Sequence, residues 1–161
     1  MPVHLAAYGT LMTGEVNALS PRTRARLDSV GRCRIPGAMV RVWNGEGAVR
    51  IDYPGLVARE GSFVSGELFL IGDNDAEAAD VLAGLDVYED CRPDDPAGSY
   101  YARRLTEVVT ADGDAPVVAW VYYFNRPVEG LEPIADGRWR AVAPRPAVAV
   151  ADDTKPYHTR G

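Results

Sequence analysis

Apolar and polar residues alternate with a period of two over much of the chain, the pattern of strands whose successive side chains face opposite sides. Enrichment in β-branched and aromatic residues places strands at Val3–Tyr8, about Gly31–Trp43, Gly55–Arg59, Phe63–Ile71, Tyr101–Thr110 and Val117–Asn125. Pro36-Gly37 interrupts the long second run and predicts a bend or bulge there. Ala111-Asp112-Gly113-Asp114 separates the last two runs. Its Asp-Gly pair suits a tight reversal with positive φ, so these two strands should form an antiparallel hairpin.

Two segments follow a helical pattern instead. The first, about Asn17–Leu27, is rich in arginine and admits Pro21 only near its start or as a break. The second, about Asp75–Glu89, opens on Asn74-Asp75-Ala76-Glu77, a capping-box pattern with Asn74 as N-cap and Glu77 reaching back to it. Its acidic first turn complements the helix dipole. After Trp139 the pattern is lost in Ala-Pro-Arg-Pro and a polar end, so 1–140 read as one domain and 141–161 as an irregular tail.

Composition narrows the class. The chain has 161 residues, 47% hydrophobic and 25% charged, which fits one soluble domain and neither a disordered nor a membrane-embedded chain. The net charge of −6 is unevenly spread, for residues 61–100 hold ten acidic side chains and one basic one. A nucleic-acid footprint would be basic, and the arginines Arg22, Arg24, Arg26, Arg32 and Arg34 read as a solvated face within an acidic chain. Partners of nucleic-acid or membrane type are therefore not expected. Cys33 and Cys91 lie far apart and the start MPVHLAAYG lacks a leader pattern, so free thiols in a cytoplasmic setting are expected. With only His4 and His158 beside them, no metal site is expected either.

Several catalytic devices are missing. Gly45-Glu46-Gly47 lacks the third glycine of a dinucleotide fingerprint and reads as a turn. There is no phosphate-binding Gly-Lys-Ser/Thr loop and no Gly-x-Ser-x-Gly elbow. A cysteine nucleophile would need an activating base that two remote histidines do not offer. The expectation is chemistry without a cofactor or a covalent intermediate.

Two local features remain. Tyr8-Gly9-Thr10-Leu11-Met12-Thr13-Gly14 leaves the first strand directly. A glycine at such an exit lets the backbone turn so that successive N–H groups point into one cavity and bind an anion. The same segment also reads as an ordinary loop with Tyr8 filling the core. The second feature is Glu89. At about 100° per residue, Ala78, Leu82, Leu85 and Glu89 fall within roughly 60° of one another, and Asp86 lies off the centre of that arc. A carboxyl on a core-facing stripe at a helix C-terminus is harder to ionise, which moves it toward the range of a general base and acid. Alternatively the helix frays before Glu89, or Glu89 pairs with Arg103 or Arg104.

Taken in order, Tyr8-Gly9-Thr10-Leu11-Met12 with Gly14 and Asn17, Asp52-Tyr53-Pro54-Gly55-Leu56-Val57, Val64-Ser65-Gly66-Glu67-Leu68-Phe69, Leu85-Asp86-x-Tyr88-Glu89, Tyr100-Tyr101-x-Arg103-Arg104 and Ala119-Trp120-Val121-Tyr122 resemble the γ-glutamylcyclotransferase superfamily, in particular its small γ-glutamylamine cyclotransferase members. The resemblance covers most of residues 3–140. It implies an α+β fold, a small mixed β-barrel flanked by helices, with a cavity beside the first strand exit.

It also implies a reaction in which a γ-glutamyl amide is cleaved by attack of its own α-amino group, giving 5-oxoproline and a free amine. The substrate supplies the nucleophile, and holding it folded supplies much of the acceleration. By the resemblance, Tyr8, Gly9, Thr10 and Leu11 form the substrate-binding loop and Glu89 is the catalytic base and acid, while Tyr101 and Tyr122 are pocket aromatics. The implied partner is a small γ-glutamyl substrate, with no cofactor. A ligand-binding or regulatory module on the same fold, and a hydrolase in which Glu89 activates water, are the competing readings. The chain departs from the family at Asp90, where glycine is common, and in the longer stretch Cys91–Ser99.

Overall fold

The computed structural model describes residues 1–15, 19–44, 51–113 and 115–139. The strands are β1 (Val3–Ala7), β2 (Asp28–Pro36), β3 (Ala38–Asn44), β4 (Ile51–Val57), β5 (Phe63–Gly72), β6 (Tyr101–Thr110), β7 (Pro116–Phe124) and β8 (Glu132–Ile134). Five of them close a barrel in the order β1-β5-β2-β6-β7. Its neighbours are antiparallel except where β1 meets β7 in parallel, with Leu5 opposite Trp120, so the barrel is mixed. A second sheet, β4-β3-β8, lies beside it. Inward-facing Leu5, Ile35, Val64, Val108 and Val121 are fully buried, as the period-two pattern requires.

The long second run of the sequence is two strands in two sheets. Gly37, at φ 140°, stands between them in a conformation that L side chains rarely adopt, and a Cβ there would meet the Val57 carbonyl at 2.7 Å. The first of the two also begins earlier than alternation indicates, at Asp28, because a bulge at Gly31 lets the register with β5 continue across the irregularity. The fourth strand extends back to Ile51 through Pro54, which is tolerated because β4 is an edge strand. The three-residue β8 is too short to leave a periodic signature.

The helix expected over Asn17–Leu27 is a single turn, α1 (Pro21–Arg24), among the residues described; 16–18 lie outside them. Ser20 caps it by accepting from the Thr23 N–H, and Pro21 occupies the first position. Beyond Arg24 the chain continues in tighter turns, with the Arg26 N–H on the Thr23 carbonyl and the Leu27 N–H on the Arg24 carbonyl, before β2 begins at Asp28. The second helix, α2 (Asp75–Glu89), has the expected bounds. Asn74 accepts from the Glu77 N–H at 2.9 Å, while the Glu77 carboxylate meets the Asn74 side-chain amide instead of its backbone.

β6 and β7 form the expected hairpin, but Gly113 is not at positive φ. The reversal is wider than a two-residue turn and is closed by the Thr110 N–H on the Ala115 carbonyl and the Ala115 N–H on the Thr110 hydroxyl. The expected turn at Gly45-Glu46-Gly47 and the expected tail lie outside the described residues.

Candidate active site

After Ala7 the chain leaves the barrel through Tyr8 and turns, the Met12 N–H donating to the Gly9 carbonyl at 3.0 Å. Gly9 is required by close approach and not by its φ, for a Cβ there would lie 2.3 Å from Pro54 Cγ. Tyr8 is buried, and its hydroxyl donates to the Tyr122 carbonyl at 2.6 Å and accepts from the Leu56 N–H at 3.2 Å. The far end of the loop is tied to β5. Glu67 accepts from the Thr13 N–H and hydroxyl, both at 2.7 Å, and from the Ser29 hydroxyl at 2.6 Å.

The other wall is the end of α2. The helix runs through Glu89 without fraying and stops at Asp90, which adopts the left-handed conformation at φ 53° and returns its N–H to the Asp86 and Val87 carbonyls. Glu89 is half-buried. One residue before it, the Tyr88 hydroxyl meets the Thr10 hydroxyl at 2.7 Å and so joins helix to loop. Between the two walls, Tyr101 donates to the Pro54 carbonyl at 2.7 Å and packs its ring 6.3 Å from that of Tyr53.

These elements enclose a cavity of about 470 Å³ including its open mouth. Tyr8, Gly9, Thr10, Leu11, Glu89, Tyr101 and Tyr122 all line it, so residues separated by up to 114 positions share one wall system. Leu5, Ala6, Ala7, Tyr53, Pro54 and Tyr88 complete the lining, which makes Glu89 its one charged side chain among the described residues. Burial first, and then the Glu89 charge, push the Tyr8 phenol well above its usual range. The same pair of effects, with the Asp86 carboxylate between them in size, does so for Tyr122. Both phenols therefore stay protonated at neutral pH. Cys33 does not line the cavity, and burial raises its thiol to about 11. Among the described residues no three histidine, cysteine or acidic side chains gather as metal ligands.

The family model for γ-glutamyl cyclotransferase, AIG2-like proteins matches residues 5–141. The chain belongs to this family. The fold agrees with it: an AIG2-like protein from Mus musculus superposes with a TM-score of 0.54 at 22% identity, over 89% of this chain and 99% of that one. A solved γ-glutamyl cyclotransferase gives 0.51 at 13% identity over 91% and 73%, and an uncharacterised protein from Homo sapiens 0.55 at 15% over 82% and 69%. No curated protein sequence matches the chain.

The cyclotransferase family's frequent glycine after the glutamate has a physical counterpart in Asp90, whose left-handed backbone is the conformation glycine adopts most readily. The Asp90 carboxylate is ion-paired with Arg92 at 2.8 Å. The longer stretch beyond it is ordered around the buried Ser99, whose hydroxyl accepts from the Arg92 N–H at 2.7 Å and reaches the Asp95 carbonyl at 3.0 Å.

Two residues escaped the sequence reading. Asp86, which lies off the centre of the apolar arc, is 8% exposed, because Arg103 and Tyr122 from β6 and β7 cover that flank of α2. It binds Arg103, the arginine considered above as a partner for Glu89; Arg104 instead lies over the Tyr123 ring. Glu67 carried no local signal beyond its place in a motif, since its partners Thr13 and Ser29 are brought to it by the barrel.

Proposed function

We propose that this chain is a γ-glutamyl cyclotransferase that cleaves a γ-glutamyl amine by intramolecular attack, giving 5-oxoproline and a free amine. The observation that carries this reading is that Glu89 and the Tyr8–Leu11 loop line one cavity from opposite elements. Glu89 takes a proton from the substrate α-ammonium, and the freed amine adds to the γ-carbonyl. The peptide N–H groups of the loop stabilise the glutamyl carboxylate or the oxyanion that forms. As the C–N bond breaks, Glu89 returns its proton to the departing nitrogen. The ring nitrogen, which still carries two hydrogens after the attack, gives up its second proton to become the lactam N–H, and the released amine takes that proton up as its ammonium at neutral pH, so none is gained or lost overall. Tyr101 and Tyr122 shape the wall against which the glutamyl chain folds, and orientation supplies much of the rate. The setting expected for this reaction is cytoplasmic, with no cofactor.

A panel of γ-glutamyl amines and amides, read out as 5-oxoproline, tests the proposal. Release from at least one member is expected, with loss of about 10³-fold or more in Glu89→Gln, in keeping with removal of a general base and acid. Full activity in Glu89→Gln overturns the role given to that residue. Stabilisation by γ-glutamyl compounds without product would mark a binding module, and release of glutamate a hydrolase.

A further inference from the structure

Asp86 precedes Glu89 by one turn of α2, so the two side chains are neighbours on the helix. Its Oδ1 accepts from the Tyr122 hydroxyl at 2.6 Å and from Arg103 Nε at 2.8 Å, and its Oδ2 accepts from Arg103 Nη2 at 3.2 Å. Arg103 and Tyr122 are opposite one another in the β6–β7 ladder, and the Arg103 guanidinium lies 4.6 Å over the Trp120 ring. The carboxylate is thus held in a fork while it holds the phenol. Tyr122 continues the connection through its backbone, because its carbonyl takes the Tyr8 hydroxyl and Tyr8 accepts from Leu56. Hydrogen bonds therefore run from the helix that carries Glu89, through β7, to the residue from which the Gly9–Leu11 loop departs.

The geometry points to Asp86, with Arg103 as its counter-ion, as the positioning residue of the cavity: it pins the last turn of α2 to Tyr122 and so sets the separation between Glu89 and the Tyr8–Leu11 loop. The consequence for turnover rests on the cyclotransferase reading; the mechanical claim does not. A buried carboxylate paired to arginine is suited to this, since it is acceptor-only and meets both donors at charge-assisted distances. Burial and the Asp86 charge keep the Tyr122 phenol protonated, so it remains a donor to Asp86.

The test uses the full chain in two variants. Asp86→Leu with Arg103→Met replaces the ion pair by apolar side chains, an exchange that is often neutral or better for stability. Because the change also leaves the buried Tyr122 hydroxyl without its acceptor, its melting temperature should fall by no more than about 12 °C, and the variant stays folded at the assay temperature. Its kcat for 5-oxoproline release should nevertheless fall by about 10²-fold, the cost of a misplacement near 1 Å, with KM changed less than about threefold. Tyr122→Phe keeps the ion pair, is the milder change, and should lower kcat by about tenfold. Hydrogen exchange gives a readout that needs no substrate. The Met12 amide, in the loop and remote in sequence from both changes, should exchange at least about tenfold faster in both variants. Parent-like Met12 exchange in folded variants overturns the positioning role, whether or not the chain makes 5-oxoproline. Parent-like kcat with accelerated exchange overturns its consequence for turnover. Absence of 5-oxoproline from the parent defeats the cyclotransferase reading alone.

Discussion

Replacing Gly9 by alanine isolates one contact on which the cavity depends. Gly9 is not among the glycines with positive φ, so its backbone accepts alanine without strain, and the whole effect comes from the added carbon. That carbon would stand 2.3 Å from Pro54 Cγ and 3.1 Å from Cδ. Carbon atoms settle at about 3.5–4.0 Å, so loop or proline must give by more than about 1 Å. The proline ring cannot swing away as a flexible side chain does, and its carbonyl is held by the Tyr101 hydroxyl at 2.7 Å. The next residue, Gly55, lies against Phe124, where an added Cβ would have 2.9 Å. The loop is therefore the part that moves. Overpacking of this kind costs about 1–3 kcal/mol. In a domain of this size that lowers the melting temperature by about 2–12 °C. Displacement of the loop by about 1 Å should also lower kcat by about 10²-fold. Thermal unfolding followed by circular dichroism gives the first number and 5-oxoproline release the second. Pro54→Ala removes the atoms in conflict, so the double variant should recover at least about 1 kcal/mol relative to the sum of the single changes. A Gly9→Ala protein that melts like the parent, or a double variant with no coupling, refutes the argument.

Glu67 should govern part of the acid sensitivity. Burial raises its pKa, but hydrogen bonds from Ser29 and Thr13 outweigh this and hold it below the usual glutamate range. A depressed folded-state pKa means that the unfolded chain binds the proton first as pH falls. The stabilisation is full above about 4.3 and is lost on further acidification. Glu67→Gln should flatten the acid limb of stability between about pH 5 and pH 3 in chemical denaturation, and an unchanged limb would count against it. Cys33, buried with its thiol raised to about 11, should resist iodoacetamide at neutral pH while the protein is folded. The half-buried Cys91 should be alkylated first, although burial raises its thiol too. Mass spectrometry showing both modified at one rate would contradict this.

Much of this protein can be read locally. Period-two alternation locates seven of the eight strands among the described residues to within a few residues of a boundary, or as part of a longer run, because burial on one face of a strand repeats along the strand itself. The Asn74 cap and the span of α2 are legible for the same reason, since cap and first turn lie within four residues. The Tyr8–Leu11 segment and Glu89 are legible as family motifs, and the fold of the barrel follows from that membership.

Other features exist only once the barrel closes. Whether residues 28–44 form one strand or two depends on Gly37 sending β3 into a second sheet. The need for glycine at position 9 comes from Pro54, and the burial of Asp86 from Arg103 and Tyr122. The sequence by itself determined the repeating and capped elements and the residue types available for chemistry. Tertiary structure decided which carboxylate lines the cavity and which anchors its wall, because desolvation and counter-ions are set by strands remote in sequence and not by the helix that carries both acids.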